Sequence, residues 1–337
     1  LEKRVELWNS LSAHWRRVFG KRVQKIPLDV GATCPNRDGT LSREGCSFCN
    51  AVGSGSGFGL AGMSVADQWA YWREHFRHST KAELFVAYLQ SFSNTYGSPE
   101  KLAAMLDTLR PLPDLAGLSV GTRPDCIDAE KAALLADMPC RENWLELGVQ
   151  TFNDATLRRI NRGHDAACSV RAIETAASAG LMVCVHLMAG LPGESSDDFL
   201  DAVRRVNGLP VQGVKFHNTY VCKNTALARE FISGSFVPLS RDAYVELVVE
   251  GLCLLRPDIV VHRVVADPTE EELLAPEWPL TKHQTVMAIE RRMREIRQAE
   301  AGGKTRRRRK RRRPGAWPDG IAPDPEKQIF SGQERQI

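Results

Sequence analysis

No stretch of the chain runs apolar for the length of a membrane span, and residues 1–20 carry too many charges for the apolar core of a secretion signal. No membrane partner is expected, and a cytoplasmic location is. Disulfide-framework spacing is missing as well. Of nine cysteines, an odd number, Cys126, Cys140, Cys168, Cys184, Cys222 and Cys253 stand singly, which suits a reducing compartment. A second C-x-x-C pair, which a zinc ribbon usually supplies, is absent. So is the Lys-Ser/Thr ending of a phosphate-binding loop, and the glycine-dense stretch 53–62 therefore reads as a mobile lid or linker.

What is present is one loop with three thiols, Cys34, Cys46 and Cys49. The turn formers at 36–39 and Gly45 fold that loop back, so that Cys34 meets the C-x-x-C pair. A structural zinc ion closes its shell with four protein ligands, whereas three thiolates on a cubane iron–sulfur cluster leave one iron open to a substrate or cofactor. Spacing leaves three readings open: the cluster, a zinc site completed by a distant histidine such as His75 or His78, and unligated thiols.

The formal net charge of +4 is misleading, because residues 304–313 hold nine cations and the remainder of the chain is acidic. Affinity for polyanions is concentrated in that run. The remainder alternates between apolar strand-like runs and amphipathic helical ones. Strands are expected at 23–30, 84–90, 115–122, 144–150, 182–188 and 214–221. Helices are expected at 4–19, 64–78, 98–109, 128–136, from 154, 168–179 and 196–206, with Ser64, Ser98, Asp128 and Ser196 as caps. Six such alternations predict an α/β fold, a partial (β/α)6 TIM-type barrel. A strand at 260–266 and a helix at 281–299 are expected to pack beside it. The expected organisation is an N-terminal amphipathic helix (1–22), the barrel (23–268), a helical C-terminal extension (269–301) and a basic, proline-containing disordered tail (302–337).

The unusual polar residues fall at the carboxyl ends of these strands, where β/α barrels place active sites. Cys34 follows the first, Gln90 and Asn94 close the second, Arg123 and Asp125 follow the third and Gln150 ends the fourth. Gly190 to Glu194 follow the fifth, while His217 lies in the sixth and Tyr220 closes it.

Taken in order, the segments TCPNRDGT (33–40), GCSFCN (45–50), QSFSNTY (90–96), GTRPD (121–125), ELGVQ (146–150), NRGH (161–164), GLPGE (190–194) and LAPEW (274–278) resemble the radical SAM superfamily. The resemblance is to its YhcC/YtqA type, relatives of the radical SAM subunit of Elongator. It implies a [4Fe-4S] cluster on Cys34, Cys46 and Cys49, with the amino and carboxylate groups of S-adenosylmethionine (SAM) chelating the fourth iron. By the same resemblance Phe48 lies beside the adenine, the turn from Gln90 to Asn94 meets the methionine moiety, and Gln150 and Gly190 lie along the ribose and adenine. Arg123 and Glu194 are further cofactor residues on this reading. At Ala266 the sequence departs from the glycine more usual in the family. The implied activity is reductive cleavage of SAM to a 5′-deoxyadenosyl radical that abstracts hydrogen from a substrate, with His217 and Arg263 orienting that substrate. The implied partner is a low-potential electron donor such as flavodoxin or ferredoxin, while the charge of the basic tail, and not the resemblance, makes RNA or another polyanion a further expected partner. The alternative is a zinc- or iron–sulfur-containing nucleic-acid-binding or redox-sensing protein without catalysis.

Overall fold

The apolar runs become strands and the capped segments between them become helices. The computed structural model describes residues 6–50, 53, 62–266 and 268–301. In chain order the elements are α1 (Leu11–Phe19), β1 (Val23–Leu28), α2 (Val65–Thr80), β2 (Leu84–Leu89), α3 (Pro99–Leu109), β3 (Leu115–Thr122), α4 (Ala129–Ala136), β4 (Glu142–Gln150), α5 (Asp154–Arg159), α6 (Ala166–Ser178), β5 (Met182–Ala189) and α7 (Ser196–Asn207). Then come β6 (Gly213–Asn218), β7 (Val221–Cys222), α8 (Ala226–Ile232), α9 (Arg241–Leu254), β8 (Val260–Arg263), β9 (Leu273–Ala275) and α10 (Lys282–Ala301).

Side-chain caps set where helices begin. Ser64, Ser98 and Asp128 each accept a hydrogen bond from the backbone amide three residues on, and Pro99 takes the first position of α3, where its missing N–H costs nothing. In α7 the cap is Ser195 rather than Ser196, because Asp198 reaches back to the Ser195 amide and completes a capping box. α1 begins at Leu11 rather than residue 4, since the Ser10 hydroxyl caps it.

Seven strands form one all-parallel sheet in the order β1-β2-β3-β4-β5-β6-β8, and β7 pairs antiparallel with β9 apart from it. The strand at 260–263 therefore joins the sheet as its seventh member instead of packing beside it. The sixth ends at Asn218, not Val221, which leaves Tyr220 in a connection and Val221 in β7. The sheet is curled. Lys25 on β1 brings its Nζ to 3.5 Å from Nδ1 of His262 on β8, whereas six flat strand spacings of about 4.8 Å would hold those strands roughly 29 Å apart. This is the half-barrel that the alternation implies, extended by one strand.

α1 lies across the seam between the edge strands. The Val261 amide donates to the Asn9 carbonyl (2.7 Å). Glu142, at the start of β4, accepts from His14 Nε2 (2.6 Å), Trp15 Nε1 (2.9 Å) and Trp144 Nε1 (2.9 Å). The chain divides into two units, Leu1–Arg294 and Glu295–Ile337, and of the second only the last turns of α10 are among the described residues. Most of the glycine-dense stretch 53–62 and all of the basic tail lie outside them. No helix among the described residues is long and apolar enough to cross a membrane.

Glu142 is the shared acceptor of three donors, so its removal should leave them buried and unpaired, each at a cost of about 1–3 kcal/mol. Glu142→Ala is expected to lower unfolding free energy by at least about 2 kcal/mol in urea melts, and a loss below about 0.5 kcal/mol would show that α1 is not anchored through this carboxylate.

Candidate active site

β1 leads directly into the thiol loop, which therefore stands at the carboxyl end of the sheet. The loop is folded by its own backbone: the amide of Arg37 donates to the Cys34 carbonyl (2.8 Å), that of Gly45 to Asn36 (2.8 Å) and that of Cys49 to Cys46 (3.0 Å). Gly45 turns at a φ of 76°, and a Cβ there would also press on the Arg37 side chain at 3.1 Å. The segment after α5 clamps the loop from the other side, with the Ser47 amide donating to Ile160 (3.0 Å) and Asn161 Nδ2 donating to the Gly45 carbonyl (2.7 Å).

Two donors reach the Cys46 sulfur, Arg162 Nη1 at 3.2 Å and Asn36 Nδ2 at 3.5 Å. Burial alone would raise the Cys46 thiol, but the Arg162 and Arg123 guanidinium groups overcome it and hold the thiol below its ordinary value. Cys49 moves the other way, raised by burial and by its neighbour Cys46. The loop thus favours the thiolate at Cys46 and sets beside it the Cys49 thiol, which would give up its proton on binding a metal.

The three thiols face a cavity of about 650 Å³. Phe48, Gln90, Arg123, Gln150, His217 and Arg263 line it with them. Gly121 and Gly148 make the room: a Cβ at Gly148 would fall 2.7 Å from Arg162 Nη2, and one at Gly121 would fall 3.0 Å from the Leu89 carbonyl. Gln150 sits at a φ of 71°, in the left-handed region, just past a register shift between β4 and β5. A non-glycine residue there carries strain that its surroundings must hold.

Three of the expected cofactor residues lie outside this lining. Asn94 braces the turn after β2 by donating to the carbonyls of Leu89 (3.1 Å), Ser91 (3.1 Å) and Gly121 (2.8 Å). Gly190 is backed by Leu239, whose Cγ would be 2.7 Å from an added Cβ. Glu194 accepts the Thr151 hydroxyl at 2.6 Å, one residue past Gln150. Asp125 holds the Arg123 guanidinium through two bonds of 2.8 Å. Neither suggested zinc histidine lines the cavity: His75 packs edge-on against Trp72 and Phe76, and His78 pairs with Glu74 at 2.7 Å. Cys222, which sequence reasoning left among the single cysteines, does line it, because β6 ends early and the chain turns into β7.

Beneath the thiols the barrel interior holds a charged layer that was not foreseen. Glu146 on β4 is fully buried and accepts from Lys25 on β1 and Lys215 on β6, from Ser119 on β3 (2.5 Å) and from His186 on β5 (2.9 Å). An ionised carboxylate only accepts, so His186 Nε2 carries the proton in that bond. Tyr88 on β2 receives the Lys215 ammonium at 2.8 Å from its hydroxyl oxygen, and its ring lies 4.5 and 4.4 Å from the Lys25 and Lys215 nitrogens. Burial raises the Glu146 carboxyl, but Lys215 and Lys25 outweigh it and keep the group well below the usual carboxylate range. Burial pulls His186 down to about 4 and His262 to about 3, and takes His217 well below its ordinary value. Donor atoms of Glu146, Cys184 and His186 lie within 4.8 Å of one another. Ammonium groups already occupy both oxygens of that carboxylate, so the trio is part of an ion-pair layer and not a cation site.

Two family models match the chain, Radical SAM superfamily over residues 33–206 and Radical_SAM C-terminal domain over residues 211–295. YtqA of Bacillus subtilis is 35% identical over 283 residues, 84% of this chain and 88% of that protein. YhcC of Escherichia coli is 36% identical over 275 residues, 81% of this chain and 88% of that protein. Among solved structures, the archaeal Methanocaldococcus infernus Elp3 superposes with a TM-score of 0.60 at 15% identity, over 78% of this chain and 62% of that one, a likeness of fold.

Burial raises the Glu194 carboxyl from 4.5 to about 7. Its unfolded counterpart titrates near 4.5, so its contribution to stability is fully present below that pH and is lost as pH rises through 7. Glu194→Gln should remove this slope, a difference of up to about 3 kcal/mol between pH 4.5 and pH 8 at about 1.4 kcal/mol per unit. Parallel stability–pH curves for variant and wild type would show that the carboxyl is ionised in the folded protein at pH 6.

Proposed function

Because the chain belongs to the radical SAM superfamily, we propose that Cys34, Cys46 and Cys49 hold its [4Fe-4S] cluster and that the cavity beneath them receives SAM and the substrate. As a member of that family, in the branch of YtqA and YhcC, the protein is a radical SAM enzyme that uses a [4Fe-4S] cluster and SAM. The observation that carries the assignment is the convergence of three thiols from one loop on one cavity, with two N–H donors directed at the Cys46 sulfur. Hydrogen bonds to cluster sulfurs are one of the means by which proteins set cluster potential.

Bound there, the pair supplies reductive cleavage of the bond from sulfur to the 5′ carbon, and so a 5′-deoxyadenosyl radical able to take hydrogen from unactivated carbon. The residues of the chain bind, orient and shield. Phe48 packs against the apolar cluster of Ile160, Met188 and Leu191 and presents a fixed apolar surface suited to a planar base. Gln90 and Gln150 contribute amide groups from the ends of β2 and β4. Arg123 Nη1 is buried with no hydrogen-bond partner among the described residues, a donor suited to an anionic group of the cofactor. Asn94, Gly190 and Glu194 act from behind, shaping the turns that carry these groups. His217, with an unpartnered Nε2, and Arg263 are the residues we assign to substrate orientation. Such a radical attacks most groups near it, so the curled sheet must hold one substrate atom close and keep water and side reactions out. A low-potential donor, flavodoxin or ferredoxin, would supply the electron.

Anaerobically reconstituted protein should form 5′-deoxyadenosine from SAM under strong reductant, and Cys34→Ala, Cys46→Ala and Cys49→Ala should each abolish both the cluster absorption and the product. Cys222→Ala should keep both. If it lost iron as completely as Cys46→Ala, the cluster would have four thiolates and no open iron, and the cofactor assignment would fall.

We also propose that the nine cations at 304–313 tether RNA or a similar polyanion. Affinity should then fall with salt at a slope of roughly −0.7 for each phosphate neutralised on a single strand. Deleting residues 302–337 should flatten that slope and leave SAM cleavage intact, whereas identical slopes for full-length and truncated protein would refute the tether.

A further inference from the structure

Arg162 is 7% exposed, and no carboxylate forms an ion pair with its guanidinium among the described residues. Arg123 beside it differs, because Asp125 takes that guanidinium through two bonds of 2.8 Å. Arg162 spends its donors elsewhere. Nη1 reaches the Cys46 sulfur at 3.2 Å, Nη2 donates to the Gly148 carbonyl, and Nε has no partner among the described residues. Of its two acceptors only the sulfur can carry a negative charge. Asn36 Nδ2 also points at that sulfur, at 3.5 Å, but brings no charge with it.

The position is built, not incidental. Asn161 turns the chain at a φ of 53°, the Arg162 amide donates to the Leu157 carbonyl (2.8 Å), and the Arg162 carbonyl accepts from Arg123 Nη2 (2.6 Å). Gly148 leaves the room the side chain needs, since a Cβ there would fall 2.7 Å from Arg162 Nη2. A buried cation is costly unless an anion meets it. The group that meets this one is a cysteine of the thiol loop, and only a thiolate there balances the charge.

We propose that Arg162 is a positioning residue for electron uptake: its fixed charge at the Cys46 sulfur raises the reduction potential of the cluster and so sets which one-electron donors can load it. The inference rests on the assignment of the cluster to Cys34, Cys46 and Cys49. A core with two positive charges on three thiolates sums to one negative charge, and an added electron doubles it. A guanidinium shielded from water and salt favours the more negative of these states, and its N–H bond to sulfur acts in the same sense. One electron passes from the low-potential donor to the cluster. No bond to Arg162 forms or breaks, and the guanidinium keeps its protons throughout.

The test uses the full chain, reconstituted anaerobically without SAM and poised with dithionite and viologen dyes, the reduced cluster being counted by electron paramagnetic resonance. Arg162→Gln keeps an N–H donor but not the charge. At equal poise its ratio of reduced to oxidised cluster should fall at least about tenfold, a potential lower by about 59 mV for a one-electron couple. Arg162→Lys, which keeps the charge, should stay within about threefold of wild type. An arginine that only braced the loop through Gly148 would lower cluster content in both variants and leave the potential of the loaded fraction unmoved. Arg162→His supplies a second arm within one protein: its ratio should fall between about pH 5 and pH 9 by more than that of wild type, as the imidazolium loses its charge. A loaded Arg162→Gln within about twofold of wild type, a lysine variant as low as the glutamine one, or a histidine variant with the pH dependence of wild type would each overturn the proposal. Loss of the cluster from both Arg162→Gln and Arg162→His would also overturn it, because the arginine would then serve assembly and not potential. Wild type that takes up no iron would instead sink the cluster assignment itself, before any variant is made.

Discussion

The interior of this barrel is organised around one carboxylate. Glu146 is fully buried and receives partners from β1, β3, β5 and β6, with His262 of β8 at 3.6 Å. Two edge strands and three central ones thereby converge on a single pair of oxygens. Burying an ion costs several kcal/mol, and leaving a partner uncompensated typically costs about 3–5 kcal/mol. A layer of this kind is therefore a weak source of net stability but a strong constraint on geometry. The curl of the sheet must bring Lys25 and Lys215 to Glu146 together, and a flatter or more open sheet would separate charges that have no water to replace them.

That constraint places the rest of the site. With the curl set, the carboxyl ends of β2, β3, β4, β6 and β8 face the thiol loop across a cavity whose size depends on Gly121 and Gly148, where a side chain would strike Leu89 or Arg162. The loop is held from beneath by the segment after α5, through Asn161 and Arg162, so that the sulfur of Cys46 and the wall of the barrel are one bonded unit. Charges are sorted by depth. Arginines face the thiols, where anionic ligands are needed, and lysines face the one carboxylate below.

Much of this was legible in the sequence because it is local. Ser98 followed by Pro99, Asp128 before an apolar helix, and a C-x-x-C pair with one earlier cysteine each carry their signal within a few residues, and the six expected strands lie close to where the apolar runs are. The resemblance of the motifs placed the chain in its family, and the family models agree. The parts that were missed depend on long-range closure. Lys25 and Lys215 sit in strands where a charged residue reads as a solvent-facing position, and only the approach of β1 to β8 turns them inward. The seventh strand is short, at four residues, and its membership in the sheet depends on β6 lying beside it. Cys222 reaches the cavity because β6 breaks at Asn218, which its apolar continuation to Val221 conceals.

The protonation states of the interior complete the physical picture. Glu146 is held well below the usual range, His186 and His262 titrate near 4 and 3, and the Tyr88 hydroxyl is raised by burial and by Glu146. No member of this set changes charge between about pH 5 and pH 8, although histidine is the side chain that ordinarily does so there. A chamber built to contain a radical gains from this. A titrating histidine beside the substrate would change the field on it with every shift in pH and could exchange protons with a reactive intermediate, whereas neutral rings in a fixed tautomer offer one constant pattern of donors. The burial that closes the half-barrel is thus also what holds the Glu146 carboxylate ionised beside its lysines and the histidine rings neutral.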